Sequence, residues 1–325
     1  MGKSRIFERF HVISSAGAGA ALLGLALALG GGADPAHAGD VAVLIGAEVA
    51  AYEEALKGFE KSLGPAHRIV AKFNMDGDFD RGAEFLREVE AEKKPDLIYA
   101  VGIWALQAVI KNPTQLPVVY AMVLNPPSVL SVSLPNVTGA SMNVPAKETL
   151  RRLKQLGPQI RRVGLVYSQA KTGYLVTEAQ STARDQGIEL VTRLVAQPGD
   201  VVPALEGLHR EGIDAFWILP DETVLAPAVT QHVFLYAYRN KIPVIGLSER
   251  QAEMGALLVL SVANNQEIGS QAAELATAIL DGGSPSRLPY TRVRDIHLTV
   301  NLKVARKIGI EVPESLRVSA NSVIE

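Results

Sequence analysis

Pro95-Asp96-Leu97-Ile98-Tyr99, echoed by Ile213-Asp214-Ala215-Phe216-Trp217, decides the fold of this chain. Each phrase sets an aspartate before a short apolar run, as expected of a strand buried on both faces of a parallel sheet. A second pair follows in the same order, with Leu116-Pro117-Val118-Val119 answered by Ile242-Pro243-Val244-Ile245. The same order written twice predicts two similar doubly wound α/β lobes. One large continuous sheet is the alternative, but two successive βαβ series over about 290 residues fit two domains better.

Around the first pair, residues 41–45 read as a buried strand. Tyr52, Leu56, Phe59 and Leu63 then recur at helical spacing. Strands are predicted over 68–73, 96–101 and 117–123, with helices over 81–92 (Phe85, Leu86 and Val89 inward) and 104–111. Around the second pair, strands are predicted over 163–167, 190–195, 215–219 and 244–247. Helices are predicted over 175–185 and 202–210, and a long one precedes residue 244. Residues 136–142 read as a strand leading to a crossover, followed by a helix with Leu150, Leu153 and Leu156 on one face. The segment 255–262, the helix 266–280 and the tail from Leu288 imply further crossings between the lobes, which would act as a hinge. The expected division is an N-terminal lobe over 39–140, a C-terminal lobe over 141–262, and a segment 263–325 packing on both.

Residues 1–38 read as an export signal. Lys3, Arg5 and Arg9 give a positive start, residues 12–32 are apolar or small, and Ala36-His37-Ala38 offers a small-x-small cleavage site before Gly39. An uncleaved anchor is the alternative, since that apolar run could just span a bilayer of about 30 Å. The glycines at 17, 19, 24 and 30–32 weaken a permanent helix. With the leader goes its charge, so the formal net charge of −2 for the whole chain becomes −3, which gives no footprint for nucleic acid. The chain has no cysteine, which excludes disulfides, thiolate metal sites, a cysteine nucleophile and a lipidated cysteine after the leader. A free periplasmic protein is expected.

Catalytic patterns are poor. His67, His209, His232 and His297 stand at no metal-ligand spacing. Asp76-Gly77-Asp78-Phe79-Asp80 opens like a calcium loop, but Arg81 takes the required glycine's place and Arg87 the terminal acid's. No Gly-x-Ser-x-Gly elbow or phosphate-binding glycine loop occurs after residue 38. Neither cofactor nor metal is expected. Open parallel sheets bind ligands at the carboxyl ends of their strands. Those ends supply Glu48, Tyr52, Ile103, Trp104 and Asn125 in the first lobe, and Ser168, Thr172, Tyr174, Asp221, Thr223 and Ser248 in the second. Helix capping is the bland reading of Ser168, Thr172, Asp221 and Ser248. Trp104 and Tyr174 are stronger ligand candidates, although interlobe packing would also use such rings.

The ordered stretches Asn136-Val137-Thr138-Gly139, Arg162-Val163-Gly164-Leu165-Val166-Tyr167, Leu219-Pro220-Asp221-Glu222-Thr223-Val224, Ile242-Pro243-Val244-Ile245, Gly255-Ala256-Leu257, Ile268-Gly269-Ser270-Gln271-Ala272-Ala273 and Asn301-Leu302-Lys303-Val304-Ala305 carry a resemblance. From Val41 onward the chain resembles extracytoplasmic substrate-binding proteins of ABC transporters, in the group that includes tryptophan- and tyrosine-type binders. The resemblance implies two Rossmann-like lobes with parallel sheets joined by a hinge, the type I periplasmic binding protein architecture. It also implies a small-molecule ligand, a permease with its ATPase as partners, a monomer and no enzyme activity. Two departures bear on the ligand. Gly102-Ile103-Trp104 stands where amino-acid binders of the group show Gly, then Ser or Thr, then a small residue, and Asn125 stands where they show an aspartate before proline. A cleft lined by Ile103, Trp104 and Tyr174 suits a largely apolar or aromatic ligand, with Ser168, Thr172 and Thr223 orienting one polar end. Other readings are a ligand-sensing subunit of a membrane receptor and, if Glu48, Asp221 and Glu222 face one another, a periplasmic enzyme.

Overall fold

A computed structural model describes residues 39–130 and 134–325. The expected leader, residues 1–38, lies outside them. In chain order the first lobe has β1 (Asp40–Ile45), α1 (Ala50–Ser62), β2 (Arg68–Asn74), α2 (Phe79–Glu92), β3 (Leu97–Val101), α3 (Ile103–Lys111), β4 (Val118–Val123), α4 (Pro126–Val129) and β5 (Val137–Ser141). The second continues with α5 (Ala146–Lys154), β6 (Arg162–Tyr167), α6 (Gln169–Asp185), β7 (Glu189–Leu194), α7 (Val201–Arg210), β8 (Ala215–Trp217), α8 (Pro227–Arg239), β9 (Val244–Gly246), α9 (Glu249–Met254) and β10 (Leu258–Val262). The chain then runs through α10 (Asn265–Leu280), β11 (Ile296–Asn301), α11 (Leu302–Ile308), α12 (Glu314–Val318) and β12 (Ser322–Ile324).

Two sheets form, in the order β2-β1-β3-β4-β5 and β12-β11-β10-β9-β8-β6-β7. The first is wholly parallel, and only the β10–β11 pairing breaks the parallel pattern of the second. The echoed phrases do the same work in each lobe. Ahead of β3, Asp96 accepts from the Asp40 backbone N–H at 2.8 Å. Ahead of β8, Asp214 accepts from the Arg161 and Arg162 N–H groups at 2.9 and 2.7 Å. Each carboxylate therefore pins the start of its strand to that of the neighbouring strand.

α10 belongs to the first lobe in space. Its buried Ile268, Ala272, Ala273 and Ala276 share a core with Val41, Phe59 and Tyr99. The α1–α10 crossing is so close that a methyl group on Gly58 would overlap the Gln266 carbonyl, and one on Gly269 the Ala55 carbonyl. The chain then pairs Thr291 with Ala140 beside β5 and returns to the second sheet through β11. It thus passes between the lobes three times, near residues 142–145, 263–264 and 292–295. These passages hydrogen-bond to one another, Val293 N–H to the Asn143 carbonyl at 3.2 Å and Ala263 N–H to the Asp295 carbonyl at 3.0 Å.

Candidate functional site

A cavity of about 270 Å³ opens where these passages meet the carboxyl ends of β8, β9 and β10. Its apolar wall comes from strand-end and crossover residues, among them Met142, Val144, Trp217, Leu219, Leu247 and Leu260, and from Leu175 on α6. The first lobe contributes Leu124. That residue follows a break in the β4–β5 register between Ala121 and Val123, at Met122, whose φ is +59°. Bulges of this kind re-aim the residues that follow.

Neutral polar groups in the wall are Asn143, Thr149, Ser248, Gln251 and Ser261. The Oε1 of Gln251 accepts from the Leu247 N–H at 2.7 Å. Among the described lining residues only Glu178 and Arg292 carry charge, and the two terminal guanidinium nitrogens of Arg292 donate to the Glu178 carboxylate. That pairing, opposed by burial, holds the guanidinium above its ordinary pKa.

Beside the cavity a polar network joins the lobes. Asn125 is buried, in the left-handed region at φ +54°. Its Nδ2 donates to the Lys171 carbonyl at 3.1 Å and the Pro220 carbonyl at 2.9 Å, both in the second lobe. Its Oδ1 accepts from the Tyr174 hydroxyl at 2.6 Å, and its backbone N–H donates to Asn143 Oδ1 at 2.9 Å. Burial raises the Tyr174 phenol well above its usual range, so it remains a donor. Every hydrogen-bonding atom of the Asn125 side chain is therefore used by protein.

The family model for ABC transporter substrate binding protein matches residues 40–324. The chain belongs to that family. The tyrosine-binding protein of Clostridioides difficile is 26% identical over 274 residues, covering 80% of this chain and 77% of the relative. Among solved structures, a ligand-free, open substrate-binding protein with adhesive properties from Clostridium difficile aligns with a TM-score of 0.65 at 23% identity, over 88% of this chain and 99% of that one. An ABC domain in complex with L-Trp from Streptococcus pneumonia gives 0.59 at 23% identity, over 88% and 100%. These likenesses show the fold.

The strand-end residues of this substrate-binding protein fall into three groups. Ser248 lines the cavity, and Asn125 and Tyr174 close its edge through Asn143. Asp221, Thr172, Ser168 and Thr223 form a structural knot. The buried Asp221 carboxylate accepts from the Ser168 N–H at 2.8 Å, the Thr172 hydroxyl at 2.5 Å and the Thr223 N–H at 2.9 Å. It thereby satisfies the N-terminus of α6, and Thr172 points inward. None of these four lines the cavity. The third group, Glu48, Tyr52, Ile103 and Trp104, stays on the first lobe outside the cavity wall.

In that third group the Tyr52 ring lies against Gly102, where no side chain could fit, and burial raises its phenol pKa while the Ile103 N–H lowers it. Trp104 is 45% exposed and its ring lies over Gly77, where an added Cβ would come within 2.9 Å of Cζ3. Trp104 and Tyr174, expected as walls of the cleft, do not line the cavity; Tyr174 instead joins the interlobe network through Asn125. Glu222 pairs with Lys171 at 2.8 Å, so Glu48, Asp221 and Glu222 form no carboxylate cluster. Sequence reasoning missed Met142, Asn143, Val144, Leu175, Glu178, Trp217, Leu260 and Arg292. Met142, Asn143, Val144, Leu260 and Arg292 lie in or beside segments read from the sequence as crossing between the lobes, whereas Leu175, Glu178 and Trp217 carry no such signal.

Proposed function

We propose that the protein captures a small, largely apolar or aromatic ligand in the interlobe cavity and delivers it to an ABC permease driven by its ATPase. The observation that carries this reading is the cavity itself, at the meeting of three interlobe passages, walled by Leu124, Met142, Trp217, Leu219 and Leu260. A concave, mainly apolar site with a few convergent polar groups is the usual form of a small-molecule pocket. Relatives named for tyrosine and L-Trp support a ligand of that size with an apolar body. Opening about the three passages would admit the ligand and closure would bury it, as in other two-lobed binding proteins. The leader-like N-terminus supports a periplasmic location, where the protein would work as a monomer. Among the described residues no helix is long and apolar enough to cross a membrane.

The test is mass spectrometry of small molecules released by denaturing protein purified from its native periplasm, repeated on Leu260→Trp, which fills the cavity. A single compound present in the wild type and depleted in the variant is expected. Equal recovery from both would place the ligand elsewhere.

A further inference from the structure

Resting on the reading of the cavity as the ligand site, we propose that Asn125 sets the ligand class: its amide occupies the place of an ammonium group, and the pocket selects an uncharged, mostly apolar molecule over an amino acid. Two carbonyl oxygens, those of Lys171 and Pro220, converge on the Asn125 amide nitrogen at the cavity's edge, and Pro220 is itself part of the wall. A pair of converging carbonyls suits a group that only donates, as a primary ammonium does. Here the neutral Asn125 Nδ2 takes that place, donating at 3.1 and 2.9 Å. The position is held firmly, because Asn125 is 3% exposed and anchored again through its backbone N–H to Asn143.

The remaining charges of the cavity are closed to a ligand in the same way. Glu178 could attract an ammonium and Arg292 a carboxylate, but their two-pronged pairing leaves neither fork open. A zwitterion entering this pocket would have to break that pair or displace Asn125, or else bury its charges without partners. Three neutral groups remain available. The hydroxyls of Thr149, Ser248 and Ser261 face the cavity and take no protein partner among the described residues. They can each donate and accept, which matches a carbonyl, amide or hydroxyl on the ligand.

Four probes sharing one ring separate the charge contributions: indole-3-propionamide (neutral), indole-3-propionate (anion), tryptamine (cation) and L-tryptophan (zwitterion). Each would be titrated by calorimetry into the full-length mature protein and into Asn125→Gly and Asn125→Asp. Glycine adopts the positive φ of residue 125 freely and keeps its N–H for Asn143, so the fold should be retained; thermal melting of both variants checks this. The wild type should bind the amide at least ten-fold tighter than tryptamine or L-tryptophan. In Asn125→Gly the freed acceptors should admit the ammonium, raising tryptamine affinity ten-fold or more and bringing it to that of the amide. Asn125→Asp adds negative charge but leaves the place beside the two carbonyls filled, so it should raise tryptamine affinity less than Asn125→Gly does. Wild-type protein that prefers tryptamine or L-tryptophan, or a probe ranking that neither variant changes, would overturn the role of Asn125 while leaving the cavity as the site. Binding of no probe by any of the three proteins would overturn this proposal together with the cavity reading on which it rests.

Discussion

Replacing Asp221 by asparagine distinguishes a structural carboxylate from a ligand-binding one. The wild-type side chain is buried and accepts three hydrogen bonds, two on Oδ2 from Ser168 and Thr172 and one on Oδ1 from Thr223. Asparagine keeps one oxygen, so its amide must turn NH2 toward at least one N–H or O–H donor. One bond to a charged acceptor, worth about 1.5–3 kcal/mol, is then lost outright. The two that remain lose their charge assistance, roughly 1 kcal/mol each, while the relief of a buried carboxylate's desolvation offsets part of the sum. A net destabilisation of about 2–4 kcal/mol is expected, read as a lower urea midpoint with little change in the slope. At temperatures where the variant is folded, its affinity for whatever ligand the wild type carries should change less than about three-fold, since Asp221 does not line the cavity. An unchanged urea midpoint combined with loss of binding would refute the reasoning and return Asp221 to the ligand.

Gly269→Ala should destabilise by about 3 kcal/mol or more, the upper end of overpacking, because the new methyl meets the Ala55 carbonyl and backbone cannot step aside; chemical denaturation reads it. A double-mutant cycle of Glu178→Gln and Arg292→Gln should give a coupling energy of about 1–3 kcal/mol, above that of an exposed pair, because both partners line the cavity; a coupling near zero would show the pair to be open to solvent. N-terminal sequencing of protein from its native cell should begin at Gly39, whereas an intact N-terminus in a detergent-requiring membrane fraction would mean a retained anchor.

The strands and most helices were legible because short apolar runs and 3.6-residue spacing are local signals. β1, β6 and β9 begin or end within a residue or so of expectation. α6 was not legible in the same way. Its start was placed at Leu175 because Gln169-Ala170-Lys171-Thr172-Gly173 has no apolar face, yet the helix begins at Gln169. Asp221, from beyond β8, supplies the cap that Ser168's side chain does not make, and a partner about fifty residues away leaves no mark on a local window. Trp104 was legible as an aromatic at a strand end, but what it covers depends on the φ of +75° at Gly77, a loop in another part of the first lobe. The cavity wall was least legible, since Leu, Met and Val at strand ends look like core until the tertiary packing leaves a space beside them.

The return of α10 to the first lobe has a consequence for biogenesis. The ribosome releases α1 early, but Gly58 and its neighbours meet their partner only after a helix some 212 residues downstream, as the Ser270–Gly58 hydrogen bond records. Until then the first sheet has an uncovered oily flank and cannot finish folding in the order in which it is made. A fragment ending after β5 would carry the same exposed surface permanently and should aggregate. The nascent polypeptide is thus kept from completing its first lobe for most of its synthesis, and its own connectivity supplies the delay.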